Sequence, residues 1–143
     1  MNVAAILKQK GREVQTIDGQ TSLHDVVLLL VKHKIGSIVV VDSEERPIGI
    51  VSERDIVRII AEDGAGALTG PVAGMMTDDV VTCSESDTLE ELMSRMTTKR
   101  FRHLPVIADG RLAGIISIGD VVKHHVAAVE MEASALRSYI STG

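Results

Sequence analysis

Hydrophobic and polar positions along the chain follow the same order twice. A short β-branched stretch comes first, then a polar turn, then apolar residues at helical spacing, then two β-prone stretches, and finally a second helix start. The β-prone stretches are at 14–17, 37–41 and 48–51 in the first half and at 80–83, 103–107 and 113–116 in the second. The pattern therefore predicts two consecutive β-α-β-β-α units.

The two halves are copies of one unit. Nine residue pairs are identical, at an offset of 66 that becomes 65 after the turn at 42–47. The pairs are Val14/Val80, Thr16/Thr82, Leu23/Leu89, Val40/Val106, Gly49/Gly114, Ile50/Ile115, Ser52/Ser117, Asp55/Asp120 and Val57/Val122. A single one-residue gap, placed in a turn, indicates an internal duplication. The segments that precede the copies, at 3–7 and 72–76, also resemble each other.

The repeat pattern predicts one module made of four consecutive segments. We expect repeat one at about 14–62, a Gly-rich linker at 63–71, repeat two at about 72–126 and a C-terminal helix at about 127–141. One copy of roughly 50 residues would be marginally stable alone, so the copies should pack against each other. The expected fold is α/β of the mixed α+β type, with a small sheet in each repeat and helices on one face.

The amino-acid composition limits the kinds of partner that the protein can bind. The net charge of −5 and an aromatic content of 1% disfavour a nucleic-acid-binding surface. The longest aliphatic run, at 26–31, is too short to cross a bilayer, and residues 1–8 lack the pattern of a signal peptide. Cys83 is the only cysteine, which excludes an intrachain disulfide. We therefore expect a cytoplasmic protein with no membrane and no nucleic-acid partner.

No residue pattern of a known catalytic centre is present in the sequence. The five histidines lack metal-ligand spacing, and the glycines at 64–70 do not match a phosphate-binding loop. Cys83 lies in a β-prone stretch and has no nearby histidine in sequence, which favours a small buried residue. The sequence favours a binding protein with no metal and no catalytic residue over an enzyme.

A strand-to-helix motif recurs as GIVSERD at 49–55 and GIISIGD at 114–120. Its S-x-x-D spacing is that of a helix capping box, and Ser22 and Thr88 start the same spacing at the other helices. The same geometry also suits a ligand, because free N–H groups at a helix start attract anions. A hydroxyl and a carboxylate one turn apart can bind a phosphate and a ribose diol. Both interpretations remain open at this point.

The tandem units, their closing motifs and the HLPV segment at 103–106 resemble a pair of cystathionine-β-synthase (CBS) domains, known as a Bateman module. The resemblance extends from about residue 3 to residue 126. It implies two repeats packed with pseudo-two-fold symmetry and two clefts between them. It also implies that the clefts bind an adenosine-containing regulatory ligand (AMP, ADP, ATP, NAD or S-adenosylmethionine) rather than a catalytic cofactor.

The resemblance assigns ribose and adenine contacts to specific positions. The final aspartate of each motif would bind the ribose hydroxyls, and the serine three residues earlier would lie near ribose or phosphate. Backbone groups of the first strand in each repeat would hold the adenine. These positions are Asp55, Asp120, Ser52 and Ser117 for the motifs, and Thr16, Ile17, Thr82 and Cys83 for the strands.

The resemblance also implies that the two clefts differ at the phosphate. Basic residues before the second strand reach phosphates in the family, and Arg102 and His103 match that place in repeat two. Repeat one has Gly36 and Ser37 there. Arg54, inside the first motif, either supplies the missing positive charge or is a solvated helix residue.

The sequence thus predicts a regulatory module that senses an adenine nucleotide and signals through a change of conformation or assembly. Because the repeats occupy the chain, the output would act on a separate effector protein. Apolar residues of the last helix, Val126, Val129 and Leu136, predict a homodimer with a disc-like arrangement of four repeats. The alternative is a structural dimerisation or scaffold module with no physiological ligand.

Overall fold

The structure, a computed structural model, describes residues 1–142. Five helices, five strands and two short 3-10 turns follow one another in the described part of the chain. In chain order they are α1 (Val3–Lys10), β1 (Thr16–Ile17), α2 (Leu23–His33), β2 (Ser37–Val41), β3 (Pro47–Ser52), α3 (Glu53–Asp63), 3-10 turns at Ala65–Thr69 and Val72–Gly74, α4 (Leu89–Lys99), β4 (His103–Ala108), β5 (Arg111–Ser117) and α5 (Ile118–Thr142).

The first repeat has a three-stranded sheet in the order β1-β2-β3. β1 runs parallel to β2, with Thr16 opposite Val39 and Ile17 opposite Val40, whereas β3 pairs antiparallel to β2. The β-branched residues of β2 favour a pleated strand and are buried at four of its five positions. Ile38 and Val40 of β2 share one hydrophobic core with residues of α2 and α3.

The second repeat differs at its first strand. The sequence predicts a strand at 80–83, but the structure has only an isolated parallel bridge between Cys83 and Val106. Extending this pairing by one residue would need an N–H donor at position 105 to bond the carbonyl of Val81. Pro105 has no N–H group, so the strand pairing stops at Cys83. The sheet of this repeat is therefore two-stranded, in the order β4-β5.

Each repeat is completed by the segment that precedes the other repeat. α1, which comes before repeat one, buries Val3, Ile6 and Leu7 in the core of repeat two. Gly114 on β5 allows this packing, because a Cβ atom there would lie 2.7 Å from Cδ2 of Leu7. The N-terminal helix is thus part of the second hydrophobic core.

The reciprocal contact has the same form. Val72 is buried in the core of repeat one, and Met75 and Met76 pack against that core. A Cβ atom on Gly49 would clash with the side chain of Met76, as one on Gly114 would with Leu7. This exchange explains why the segments at 3–7 and 72–76 resemble each other, and it gives the two halves their pseudo-two-fold relation.

α5 is one continuous helix of 25 residues. The sequence suggests a separate C-terminal helix from about residue 127, whereas the structure continues the closing helix of repeat two without a break. Val121 and His124 are buried against the repeat, and most of the helix beyond them is exposed. Across residues 1–142, no helix combines the length and the hydropathy needed to span a bilayer.

Candidate functional site

A cleft of about 560 Å³ lies between the two repeats. One wall is the edge of the first sheet with the N-terminal end of α3, and the other is the loop that leads into β4. The lining residues are Gly36, Ser37, Ile50, Ser52, Glu53, Arg54, Asp55, Arg58, Thr77, Arg100, Phe101, Arg102 and His103. We call this the arginine cleft. It brings together seven of the thirteen residues that the sequence nominates: Gly36, Ser37, Ser52, Arg54, Asp55, Arg102 and His103.

The S-x-x-D motif at the cleft forms a complete capping box. Ser52 Oγ accepts a hydrogen bond from the N–H of Asp55 at 3.2 Å. In return, Asp55 Oδ2 accepts bonds from the Ser52 N–H at 2.9 Å and from the Ser52 hydroxyl at 3.0 Å. Among residues 1–142, Asp55 Oδ1 has only a long contact with the Arg58 guanidinium, at 3.4 Å. The capping interpretation is therefore correct for Oδ2, while Oδ1 is available to a ligand that displaces Arg58.

Four guanidinium groups give the arginine cleft a positive character. Within residues 1–142, Arg54, Arg100 and Arg102 form no ion pair, whereas Arg58 contacts Asp55 and Glu62. Unpaired guanidinium groups around a concave surface attract phosphate groups and can bind them through two parallel hydrogen bonds. The site is thus suited to an anion, although the chain as a whole has a charge of −5.

Gly36 makes room at the start of α3. Its carbonyl accepts a hydrogen bond from the Glu53 N–H at 2.9 Å, which satisfies one of the donors at this helix start. A Cβ atom at this position would lie 2.9 Å from Glu53 Oε1 and 3.8 Å from the His103 ring. The missing side chain therefore lets the carboxylate and the imidazole approach the floor of the cleft.

The second copy of the motif has different surroundings. Ser117 and Asp120 repeat the capping box, with Ser117 N–H to Asp120 Oδ2 at 2.8 Å and Asp120 N–H to Ser117 Oγ at 3.1 Å. Here Lys10, at the end of α1, donates to Asp120 Oδ2 and to the carbonyl of Ile115 at 2.9 Å. Burial alone would raise the pKa of Asp120, but the hydrogen bonds from Lys10 and Ser117 lower it below its ordinary value.

His103 lies between the two copies of the motif. It lines the arginine cleft, and on β4 it is paired with Ser117 of the second motif. Burial lowers the pKa of His103, and the positive charge of Lys10 lowers it further. The imidazole therefore links the arginine cleft to the side chains around Asp120.

The four first-strand residues lie away from the arginine cleft. Thr16 lines a separate cavity of about 200 Å³ together with Arg12 and Glu45, and Ile17 is buried in the first core. The carbonyl of Thr82 accepts a bond from Arg95 at 3.4 Å.

Cys83 lies in the second core, and burial raises the pKa of its thiol to about 12. The side chain is therefore a protonated, space-filling group, in agreement with the sequence interpretation. The assignment of adenine contacts to Thr16, Ile17, Thr82 and Cys83 stays a prediction.

The sequence interpretation misses several groups around the two motifs. The sequence spacing could have predicted Arg58 as a residue of the site, because it lies one helical turn after Arg54 and on the same face of the helix. No sequence pattern predicts that Lys10 and Thr77 lie near the motifs, since both belong to the segments that cross to the opposite repeat. Thr77 reaches the cleft through two backbone hydrogen bonds with Ile50, at 2.9 and 3.0 Å.

The side chains do not suggest a metal centre. Among residues 1–142, no group of three or more histidine, cysteine, aspartate or glutamate side chains is placed to hold a metal ion. The chemistry of the arginine cleft is that of four guanidinium groups, the cap hydroxyl of Ser52 and two carboxylates, those of Glu53 and Asp55.

Comparison with known proteins identifies the family. The sequence matches the CBS domain family over residues 9–62 and again over residues 72–127. The chain belongs to the CBS-domain family, as a CBS-domain pair. The predicted resemblance and the predicted fold are thereby confirmed.

Solved structures agree with this assignment. A CBS-domain containing protein of Agrobacterium tumefaciens is 46% identical and has a TM-score of 0.84, covering 87% of this chain and 99% of that chain. A CBS domain protein of Pyrobaculum aerophilum, in complex with AMP, is 26% identical with a TM-score of 0.75, covering 84% of this chain and 89% of that chain. These similarities agree with a chain that contains a CBS-domain pair.

A curated relative covers nearly the whole chain. The mitochondrial CBS domain-containing protein CBSX3 of Arabidopsis thaliana is 32% identical over 99% of this chain and 72% of its own length. In three other curated relatives the matched region is 42 to 66% of the relative's length. Several relatives therefore contain substantial sequence beyond the CBS pair.

Proposed function

We propose that this protein is a regulatory module that binds a phosphorylated adenosine ligand in the arginine cleft. The observation that carries the proposal is the placement, among residues 1–142, of three guanidinium groups without ion pairs around one available carboxylate oxygen. Arg54 lies beside the capping box on α3, and Arg100 and Arg102 lie across the cleft from it. The AMP complex of the Pyrobaculum aerophilum relative supports an adenine nucleotide as the ligand class.

Each part of a nucleotide has a complementary group in the cleft. Arg54, Arg100 and Arg102 would bind the phosphate, because charge-assisted guanidinium–phosphate bonds are strong and directional. Asp55 Oδ1 would accept a bond from a ribose hydroxyl once Arg58 turns toward the phosphate. Ile50 and Phe101 in the lining of the cleft provide an apolar surface for the base.

Signalling would follow from the position of the cleft. A ligand bound there touches the start of α3 in repeat one and the loop 100–103 in repeat two, so it favours one relative arrangement of the repeats. We infer a regulatory rather than catalytic role, exerted on a separate effector protein in the cytoplasm.

A thermal-shift screen tests the proposal. The protein is first freed of co-purified nucleotide, and any extracted nucleotide is identified by mass spectrometry. AMP, ADP, ATP, NAD, S-adenosylmethionine and adenosine are then compared. A ligand at about 100 times its Kd should add about 2.7 kcal/mol to the free energy of unfolding. For a chain of this size the Tm should rise by about 5–10 °C.

The pattern across the ligands decides between the alternatives. The proposal expects the phosphorylated ligands to raise the Tm more than adenosine does. No shift with any of the ligands would favour the scaffold function instead.

A further inference from the structure

The side chain of Lys10 joins the end of α1 to the second S-x-x-D motif, at 117–120. Its Nζ atom donates to Asp120 Oδ2 and, at 2.9 Å, to the carbonyl of Ile115. The side chains of Lys10 and Asp120 are only 28% and 22% exposed. A partly buried, charge-assisted pair that also satisfies a backbone carbonyl is stronger than an exposed ion pair. We call the Lys10 side chain with these two bonds the Lys10 plug.

The first motif has no equivalent of the Lys10 plug. Asp55 and Ile50 correspond to Asp120 and Ile115 at the repeat offset of 65. Within residues 1–142, Asp55 forms an ion pair only with Arg58, at 3.4 Å, and the carbonyl of Ile50 is bonded by a backbone N–H group. The carboxylate suited to a ribose hydroxyl is thus available in one motif and already bonded to an amine in the other.

The Lys10 plug can open only by rotation of one side chain. α1 is anchored in the core of repeat two by Val3, Ile6 and Leu7, each at most 1% exposed, so the helix cannot move away with its last residue. A ligand that reaches Asp120 must therefore break both bonds of the lysine amine. Breaking two bonds, one of them to a charged group, weakens binding at this motif by about tenfold or more.

We propose that Lys10 closes the second motif to adenosine ligands, so that each chain binds one nucleotide, in the arginine cleft. The inference rests on the proposed function, because it assumes the same class of ligand. The two halves of the duplication then have different roles: the motif of repeat one binds a ligand, and that of repeat two is held by a side chain of the protein itself.

Equilibrium dialysis with labelled AMP counts the sites. At AMP concentrations up to about ten times the Kd of the arginine cleft, the natural chain should bind about one AMP. Lys10→Met removes the amine and keeps an unbranched side chain, so over the same range it should bind about 1.5 AMP per chain or more. The matched control is Lys8→Met, an exposed lysine of the same helix, which should stay at about one.

A second variant locates the added site. Asp120→Asn keeps an acceptor oxygen for the N–H of Ser117 but removes the carboxylate. In the Lys10→Met background it should return the binding to about one AMP per chain, because a neutral amide oxygen bonds a hydroxyl less strongly than a carboxylate does. An added site that survives Asp120→Asn would lie elsewhere and would overturn the proposal.

Amine acetylation followed by mass spectrometry measures the Lys10 plug itself. Lys10 should be acetylated about fivefold more slowly than Lys8, because its amine is engaged in two bonds. Saturating the arginine cleft with AMP should leave this ratio unchanged. Faster acetylation of Lys10 in the presence of AMP would mean that the nucleotide displaces the lysine, which contradicts a closed second motif.

The outcomes separate a failure of the Lys10 plug from a failure of the proposed function. Two AMP molecules bound to each natural chain, or a Lys10→Met variant that stays at one, would overturn the Lys10 plug and leave the arginine cleft as a nucleotide site. Binding of no AMP by either protein would overturn both proposals.

Discussion

Ser52 and Asp55 stabilise the start of α3 and shape the arginine cleft with different atoms. Asp55 Oδ2 and Ser52 Oγ are engaged in the capping box, while Asp55 Oδ1 faces Arg58. The capping role of the S-x-x-D motif can therefore be predicted from the sequence, because a capping box is a local pattern. Its contribution to ligand binding depends on which groups lie across the cleft.

A pair of serine variants separates capping from ligand binding. Ser22 and Ser52 each accept a cap bond from the N–H three residues later, at 3.1 and 3.2 Å, although only Ser52 also has the return bond of a capping box, and only Ser52 lines the arginine cleft. Ser22→Ala and Ser52→Ala should each lower the free energy of unfolding by about 1 kcal/mol. Only Ser52→Ala should also weaken nucleotide binding, by up to about tenfold. Denaturant unfolding and calorimetry measure the two effects, and unchanged binding by Ser52→Ala would assign the residue to capping alone.

The Lys10–Asp120 pair predicts a pH-dependent contribution to stability. Because the folded-state pKa of Asp120 lies below its ordinary value, its ionised form stabilises the fold above about pH 4. That contribution disappears as the pH falls through the folded-state pKa. Lys10→Met should lower the free energy of unfolding by about 1 kcal/mol at pH 7, and the difference should narrow below about pH 4.

The matched control for the Lys10 variant is Lys8→Met on the same helix. Lys8 is exposed and forms no ion pair within residues 1–142, so its variant should unfold like the natural chain. Urea unfolding at several pH values measures the comparison. A Lys10→Met difference that stays constant from pH 7 to below pH 4 would mean that Asp120 is not the stabilising partner.

At the scale of elements, the exchange of the leading segments organises both cores. α1 packs in repeat two, and the turn at Val72–Gly74 packs in repeat one. The sequence shows that residues 3–7 resemble residues 72–76, but not which repeat each segment joins. That choice depends on contacts between distant parts of the chain, such as Leu7 with Gly114.

A double-mutant cycle tests the exchange. Gly114→Ala should lower the free energy of unfolding by about 1–3 kcal/mol, because the added methyl group meets Leu7. Leu7→Ala should lower it by about 2–5 kcal/mol through the cavity it leaves. In the Leu7→Ala background the added effect of Gly114→Ala should fall by at least half. Gly66→Ala, with nothing within 4 Å, is the control. Additive effects of the two core variants would place α1 elsewhere.

The strands and the last helix show which elements can be predicted from local sequence patterns and which cannot. Alternation and β-branched residues predict β2 to β5 within a few residues. The strand at 80–83 is shortened because Pro105 lacks the donor needed by a neighbouring strand, which only the pairing register reveals. α5 continues past residue 127 because no glycine or proline interrupts residues 120–141.

At the scale of the whole molecule, the arrangement of charged residues determines where an anion can bind, and the net charge does not. The chain has a net charge of −5, yet three arginines without ion-pair partners among residues 1–142 converge on one cleft between the repeats. Composition excludes an extended basic surface but cannot locate a small cluster. Arg54 and Arg102 are 48 positions apart in sequence, and only the packing of the repeats brings them to the same cavity.

Calorimetric titration with AMP and with adenosine tests the central claim most directly. The natural protein should bind AMP at least tenfold more tightly than adenosine, because guanidinium groups bind the phosphate. Arg102→Ala should reduce this preference to less than about threefold while leaving adenosine binding nearly unchanged. Arg111→Ala, an exposed arginine at the start of β5 and outside the lining of the cleft, should retain the full preference. Equal affinities for AMP and adenosine in the natural protein, or an unaltered preference in Arg102→Ala, would contradict a phosphate site in the arginine cleft.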